Sequence, residues 1–227
     1  MRAVLWDMDG TLVDSEKLWD VSLAALCEHL GGVLTPQVRA ATVGGSAGGT
    51  IRIIFDDLGL DHDPAAMTQA ADWLLDYTAE LFDRGLPWCD GAAELLKALA
   101  AQDVPMALVT NTHRALTERA LEVIGREYFS ATVCGDEVEH GKPAPDPYRR
   151  AAHLLGEPPQ SCLAIEDSIT GAASAEGAGC PVLVIPNEVE VPGGPRRRLM
   201  ASLAGVDVAT LRAVFAELES GLGERTA

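Results

Sequence analysis

Short apolar runs punctuate this chain, and most of them stop at an acidic or hydroxylic residue. Arg2 to Trp6 ends at Asp7, Val104 to Val109 at Thr110, and Cys162 to Ile165 at Glu166; Ala131 to Cys134 and Pro181 to Ile185 are further runs of the same kind. Their length is that of buried strands. Between them lie stretches with helical spacing: Asp90 to Ala101, His113 to Ile124, Asp146 to Leu155 and Ser168 to Ala178. Strand alternating with helix predicts an α/β fold, a Rossmann-like parallel sheet covered on both faces. The ligand crevice of such a sheet lies beyond the carboxyl ends of its strands.

One interval breaks the rhythm. Nearly a hundred residues separate Trp6 from Val104, more than a single crossover needs. Most of the excess reads as helical, with one helix around Leu18, Val21 and Ala25 and another from Met67 through Phe82. The expected organisation is a core of residues 1–14 and 87–227 with a helical cap, residues 15–86, inserted after the first strand. Asp14-Ser15 and Gly85-Leu86-Pro87 are the hinges, and Asp90 caps the helix that resumes the core. Towards the C-terminus, Arg196-Arg197-Arg198 reads as a solvated charged face, and Asp207 to Leu218 as a closing amphipathic helix.

Composition narrows the class of protein. At 227 residues, 48% hydrophobic and 22% charged, the chain can build a full core. No apolar run approaches the roughly 18 residues of a membrane span, and nothing near Met1 reads as a secretory signal, so a cytoplasmic location with no membrane partner is expected. Five dispersed cysteines include no Cys-x-x-Cys pair, which argues for buried, reduced thiols. Lys and Arg number 17 against 34 Asp and Glu, a net charge of −17 that repels nucleic acid. Any phosphate site must therefore be made positive locally.

Four motifs could do this, each ambiguous singly. Asp7-Met8-Asp9-Gly10-Thr11 sets two carboxylates at the first strand's tip, where a turn is the plainer reading; a calcium loop is excluded because Leu12 and Leu18 stand where it needs glycine and glutamate. Thr110-Asn111-Thr112 offers a hydroxyl and backbone N–H groups that suit a phosphoryl oxygen, or else a cap for the next helix. Gly141-Lys142-Pro143-Ala144-Pro145-Asp146 is a rigid loop with one lysine at its start, where Pro143 and Pro145 restrict the backbone and help fix where Lys142 points, or else a loop with a solvated surface lysine. Glu166-Asp167-Ser168 adds two carboxylates or a helix cap. Carboxylates converging in this way repel unless a cation sits among them, and hard oxygen ligands point to Mg²⁺. All four motifs fall at or near predicted strand ends, where the fold would gather them.

Taken together the motifs resemble the haloacid dehalogenase superfamily, in the phosphatase branch with β-phosphoglucomutase-like and phosphoglycolate phosphatase-like proteins, over essentially the whole chain. The resemblance implies that Asp7 is the nucleophile and Asp9 the general acid and base. It makes Thr110, with backbone N–H groups near Asn111, and Lys142 the phosphate-binding set. Mg²⁺ falls to the Asp7 carboxylate, the Asp9 carbonyl and Asp167, with Glu166 close by.

The expected reaction is hydrolysis of a small phosphorylated metabolite, a sugar phosphate or related monoester, through an aspartyl phosphate. Dehalogenation is set aside because that branch needs neither a second aspartate nor a metal. A phosphomutase of the β-phosphoglucomutase type shares every core motif, but such mutases carry a histidine shortly after the first motif and an arginine in a glycine-serine cap loop. Here those regions read Leu18-Trp19-Asp20 and Gly44-Gly45-Ser46-Ala47-Gly48-Gly49, with Arg52 the nearest cation. Residues 15–86 hold four basic and eleven acidic side chains, a net of −7, which favours monophosphates over bisphosphates. Trp19 is either a wall of the cleft or core, and the loop from Val43 to Thr50, flexible by its glycines, brings Ser46 towards a substrate or is a plain helix-helix turn. A non-catalytic binding or regulatory protein on the same fold is the reading of another class. A monomer or weak homodimer is expected.

Overall fold

The computed structural model describes residues 1–43, 45–187 and 189–223. Six parallel strands, β1 (Ala3–Trp6), β2 (Met106–Val109), β3 (Ala131–Val133), β4 (Cys162–Glu166), β5 (Val182–Val184) and β6 (Arg197–Leu199), form one sheet in the order β3-β2-β1-β4-β5-β6. Every residue of β1, β2 and β4 is buried, as expected of strands covered on both faces. The two-residue period divides β1 between two cores. Val4 and Trp6 join one apolar cluster, while Ala3 and Leu5 join the cluster on the opposite face.

Helices α5 (Ala92–Ala100), α6 (Arg114–Ile124) and α9 (Val208–Gly223) lie on the Trp6 face, and α7 (Asp146–Leu154) and α8 (Ile169–Ala178) on the Leu5 face. The chain leaves β1 towards β2 on one side, while β4 lies on the other. The tip of β1 is therefore beside the switch point where such sheets bind ligands.

Four helices occupy the long interval: α1 (Glu16–His29), α2 (Pro36–Thr42), α3 (Ala47–Leu58) and α4 (Pro64–Arg84). They carry an apolar cluster of their own, with Leu26, Ile51, Ile54 and Leu74 at its centre. The two passages joining them to the sheet are bonded to each other, Asp14 N–H to the Pro87 carbonyl at 2.8 Å and Cys89 N–H to the Leu12 carbonyl at 3.0 Å.

Several expectations need correction. The Val43 to Thr50 stretch is not a continuous flexible loop, because Ser46 caps α3 by accepting from Gly49 N–H and the helix begins at Ala47; Gly44 lies outside the described residues. Asp90 does not cap α5, whose cap is Gly91 at φ 81°. A side chain there would collide with the Leu203 backbone, its Cβ 2.3 Å from the carbonyl. The arginine triplet is not simply a solvated face. Arg197 and Arg198 begin the edge strand β6, the Arg197 side chain is only 11% exposed against Glu176, and Arg196 donates to the Gly179 carbonyl.

Candidate active site

Backbone bonds fix the strand tips before any side chain acts. Asp7 N–H donates to the Ile165 carbonyl of β4 at 3.0 Å, and Thr110 N–H to the Val133 carbonyl of β3 at 3.0 Å. Gly10 then turns the chain at φ 81°, and its missing side chain is required twice over. A Cβ at this position would lie 2.2 Å from Asp167 Oδ2. Glycine thus brings the first motif and the acidic pair after β4 into contact.

At the centre, Lys142 Nζ donates to Asp7 Oδ1 at 2.5 Å and to Glu166 Oε1 at 2.6 Å, all three side chains being buried. Asn111 sets the lysine's backbone. Its Oδ1 accepts from Lys142 N–H at 2.8 Å and its Nδ2 donates to the Lys142 carbonyl at 3.1 Å, across a cis Lys142–Pro143 peptide. The Asn111 side chain thus braces the lysine loop. Glu166 is consumed by partners: Tyr148 Oη donates to its Oε1 at 2.6 Å, and Asp167 N–H and Ser168 Oγ donate to its Oε2.

Asp9 bridges two parts of the molecule. Its Oδ1 accepts from Ser15 Oγ at 2.7 Å and Trp19 Nε1 at 3.2 Å, both at the start of the helical interval. Its Oδ2 accepts from Thr110 Oγ1 at 3.1 Å and Thr112 Oγ1 at 2.8 Å, at the tip of β2. The capping alternative for Thr110 to Thr112 fails, since α6 is preceded by His113 with no side-chain cap. Ser168 does cap α8 through Gly171 N–H.

One lysine cannot neutralise two buried carboxylates. Burial, then the Glu166 charge, push the Asp7 carboxyl up to about 8 against the pull of Lys142. Burial works to lower the Lys142 ammonium, but Asp7 and Glu166 outweigh it and hold the group above its ordinary value. Burial and the same two carboxylates raise the Tyr148 hydroxyl well above its usual range.

These charges bear on whether a cation fits. Asp7 Oδ2 is buried without a hydrogen-bond partner, and Asp7, Glu166 and Asp167 offer carboxylate oxygens within 4.8 Å of one another. An orphaned carboxyl oxygen among hard donors suits Mg²⁺, which would take the proton's place on Asp7. The side-chain oxygens of Asp9 lie outside this group of three and are occupied by their four donors, so its ligand would be the main-chain carbonyl.

A cleft opens over these groups. Asp7, Asp9, Thr110, Lys142 and Asp167 form its floor, and Trp19 lies in its wall. Ser46 and Arg52 do not line it. Ser46 is exposed at the cap of α3, and Arg52 is exposed because Ile51, Ile54 and Phe55 take the buried face of that helix. Among the described residues of the helical interval, the arginine that lines the cleft is Arg39 of α2, its Nε paired with Asp20 and its side chain 14% exposed. Sequence reasoning missed α2, although Thr35-Pro36 is a cap followed by an N1 proline. Tyr148 was missed as well: it shares a buried helix face with Ala151 and Ala152, and nothing in that pattern sets it apart from core.

A switch-point cleft floored by clustered carboxylates and a buried lysine has the donors to hold a hard cation and the charge to meet an anionic group. The family model of haloacid dehalogenase-like hydrolases matches residues 1–179. A phosphoglycolate phosphatase of Shigella dysenteriae is 33% identical over 80% of this chain and 79% of its own length. A probable pseudouridine-5'-phosphatase of Drosophila melanogaster is 32% identical over 81% of this chain and 80% of its own. The solved structure of a CbbY variant from Rhodobacter sphaeroides, in complex with xylulose-(1,5)bisphosphate, has a TM-score of 0.83 at 26% identity, covering 93% of this chain and 99% of that one. The chain belongs to the haloacid dehalogenase-like hydrolases, and it is an enzyme of that family.

Proposed function

We propose that the enzyme is a Mg²⁺-dependent phosphatase that hydrolyses a small phosphate monoester through a phosphorylated Asp7. The observation that carries this reading is the unpartnered, buried Asp7 Oδ2 at the tip of β1, beside Lys142 and the carboxylate cluster. Mg²⁺ would be held by Asp7, Asp167 and the Asp9 carbonyl, with Glu166 bracing the set. When bound it supplies the positive charge that lets an anionic nucleophile face an anionic ester.

In the first half-reaction an Asp7 oxygen forms a bond to phosphorus as the ester oxygen departs, and Asp9 gives that oxygen a proton. In the second, Asp9 takes a proton from water, whose oxygen displaces Asp7 and releases inorganic phosphate. Lys142, the Thr110 hydroxyl and backbone N–H groups near Asn111 complement the phosphoryl oxygens, the electrostatic contribution on which this chemistry chiefly relies. The helices of residues 15–86 act as the cap that closes over the leaving group and excludes water.

Hydrolysis remains the better reading than mutase chemistry, on narrower grounds. Arg39 puts a cation in the cleft, so a lack of cap cations no longer argues for it. Trp19 still does: its one N–H is bonded to Asp9, and an indole offers no basic nitrogen. That two of the three similar proteins described above are named phosphatases supports the same choice.

The test is hydrolysis of p-nitrophenyl phosphate with Mg²⁺, after EDTA, and after Mg²⁺ is restored. Turnover should vanish with chelation and return with the metal. A folded protein that is inert in every arm, or one whose turnover survives chelation, would sink the Mg²⁺-dependent phosphatase reading.

A further inference from the structure

Most polar side chains that line the cleft are bonded within the protein. The two threonines at the tip of β2 and the Trp19 N–H donate to Asp9. Asn111 braces the lysine loop, Ser168 serves Glu166 and α8, and Arg39 is engaged by Asp20. Thr50 of α3 and His113 at the start of α6 line the same cleft. Among the described residues, neither of these two side chains has a hydrogen-bond partner.

Thr50 is the more telling of the two. It is only 7% exposed and shares the buried face of α3 with Ile51 and Ile54. Buried helical threonines elsewhere in the chain turn the hydroxyl back onto a carbonyl of the preceding turn: Thr42 onto Arg39, Thr78 onto Leu74 at 2.7 Å and Thr117 onto His113 at 3.0 Å. Thr50 makes no such bond. Gly45, also in the lining, leaves the space beside it open, since a Cβ there would stand 3.7 Å from Thr50 Oγ1. A nearly buried hydroxyl with no partner is unfavourable for folding, and a valine would fill the same volume without that penalty.

A hydroxyl and an uncharged imidazole each both donate and accept. They match the hydroxyls of an alcohol, which do the same. A carboxylate or a second phosphate would use only the donors, and would meet the acidic surplus of residues 15–86, a net of −7. The apolar neighbours Leu23, Leu74 and Leu75 take the carbon skeleton. We propose that Thr50 is a specificity-determining residue that exchanges a hydrogen bond with a hydroxyl of the leaving alcohol, and that His113 meets a second hydroxyl from the side of β2. The leaving group is then a neutral polyhydroxy alcohol. The inference rests on the phosphatase reading and names the residues by which that site reads its substrate.

The experiment compares kcat/KM, with Mg²⁺, within two matched pairs: glycerol 3-phosphate against propyl phosphate, and glucose 6-phosphate against cyclohexylmethyl phosphate. All four esters release primary alcohols, so intrinsic reactivity is closely matched and recognition dominates each ratio. The wild type should prefer the hydroxylated member of at least one pair by about tenfold or more. Thr50→Val should lower that ratio by about fivefold, as should His113→Phe, and Thr50→Ser should restore it. The Tm of Thr50→Val without substrate should equal or exceed that of the wild type. Ratios near one in both pairs refute the polyhydroxy leaving group. A ratio unchanged in Thr50→Val refutes the role of Thr50, and one unchanged in His113→Phe refutes that of His113. A Tm lowered by several degrees in Thr50→Val shows that the hydroxyl serves the fold and overturns its availability to substrate. In these cases hydrolysis of p-nitrophenyl phosphate by the wild type still upholds the phosphatase reading, whereas loss of all turnover overturns both.

Discussion

Lys142 stands between two buried carboxylates and can neutralise only one, and this imbalance governs the energetics of the site. Lys142→Met would leave Asp7 and Glu166 facing each other without a cation, and should destabilise the Mg²⁺-free protein by about 3 kcal/mol. Chemical denaturation checks it. Asp7 has the opposite character. Its carboxyl rises from 3.8 to about 8 on folding, so the folded state keeps a proton that the unfolded chain has released. The stability this supplies is complete below about pH 4 and is lost as pH climbs towards 8. Asp7→Asn removes that dependence along with turnover. The Tm of the variant relative to wild type, both free of Mg²⁺, should therefore rise between pH 5 and pH 8.5. Added Mg²⁺, competing with the proton for Asp7, should stabilise the wild type more at pH 8.5 than at pH 6 and the variant little at either.

At the level of elements, α8 is seated by a close approach. A Cβ at Gly171 would fall 1.9 Å from Glu166 Oε2 and 2.0 Å from Oε1, so the first turn of α8 must carry glycine for Glu166 to reach Lys142 and Tyr148. Gly171→Ala should cost about 1–3 kcal/mol by overpacking. It should also lower kcat by more than this loss of stability explains, because the lysine's brace is displaced. Gly48 is the counterpart, in the first turn of α3, where an added Cβ would meet nothing within 4 Å. Gly48→Ala should stabilise the protein by about 0.5–1 kcal/mol. Thermal melts and steady-state kinetics on the two variants separate a glycine needed for contact from one that is merely tolerated.

Across the whole molecule, the net charge of −17 opposes the anion that the site must admit. Lys142 and Arg39 make the cleft locally receptive, but a substrate approaching from solution meets the repulsive field first. Raising ionic strength from about 10 mM to 150 mM shortens the screening length from roughly 30 Å to 8 Å. The kcat/KM for an anionic ester should therefore rise over this range, where a basic protein would show a fall. A stopped assay in NaCl at constant Mg²⁺ reads the slope.

The alternation of buried strands with amphipathic helices, and the carboxylates at the tips of β1 and β4, were legible along the chain because both are local. A strand's apolar run and the residue that ends it are neighbours in sequence. So was the position of Lys142, framed by its prolines. The partners of these groups were not, since Tyr148 reaches Glu166 and Thr112 reaches Asp9 only once distant elements pack together. The interval between β1 and β2 shows the same division: its helical character was written in the spacing of Leu18, Val21 and Ala25, yet which arginine faced the cleft depended on how α2 and α3 lay against α1 and α4. Sequence by itself determined the class of fold and the chemistry gathered at its strand ends. Tertiary packing alone decided which side chains brace that chemistry and which wall the leaving group meets, because these depend on the direction of side chains from elements far apart in the chain.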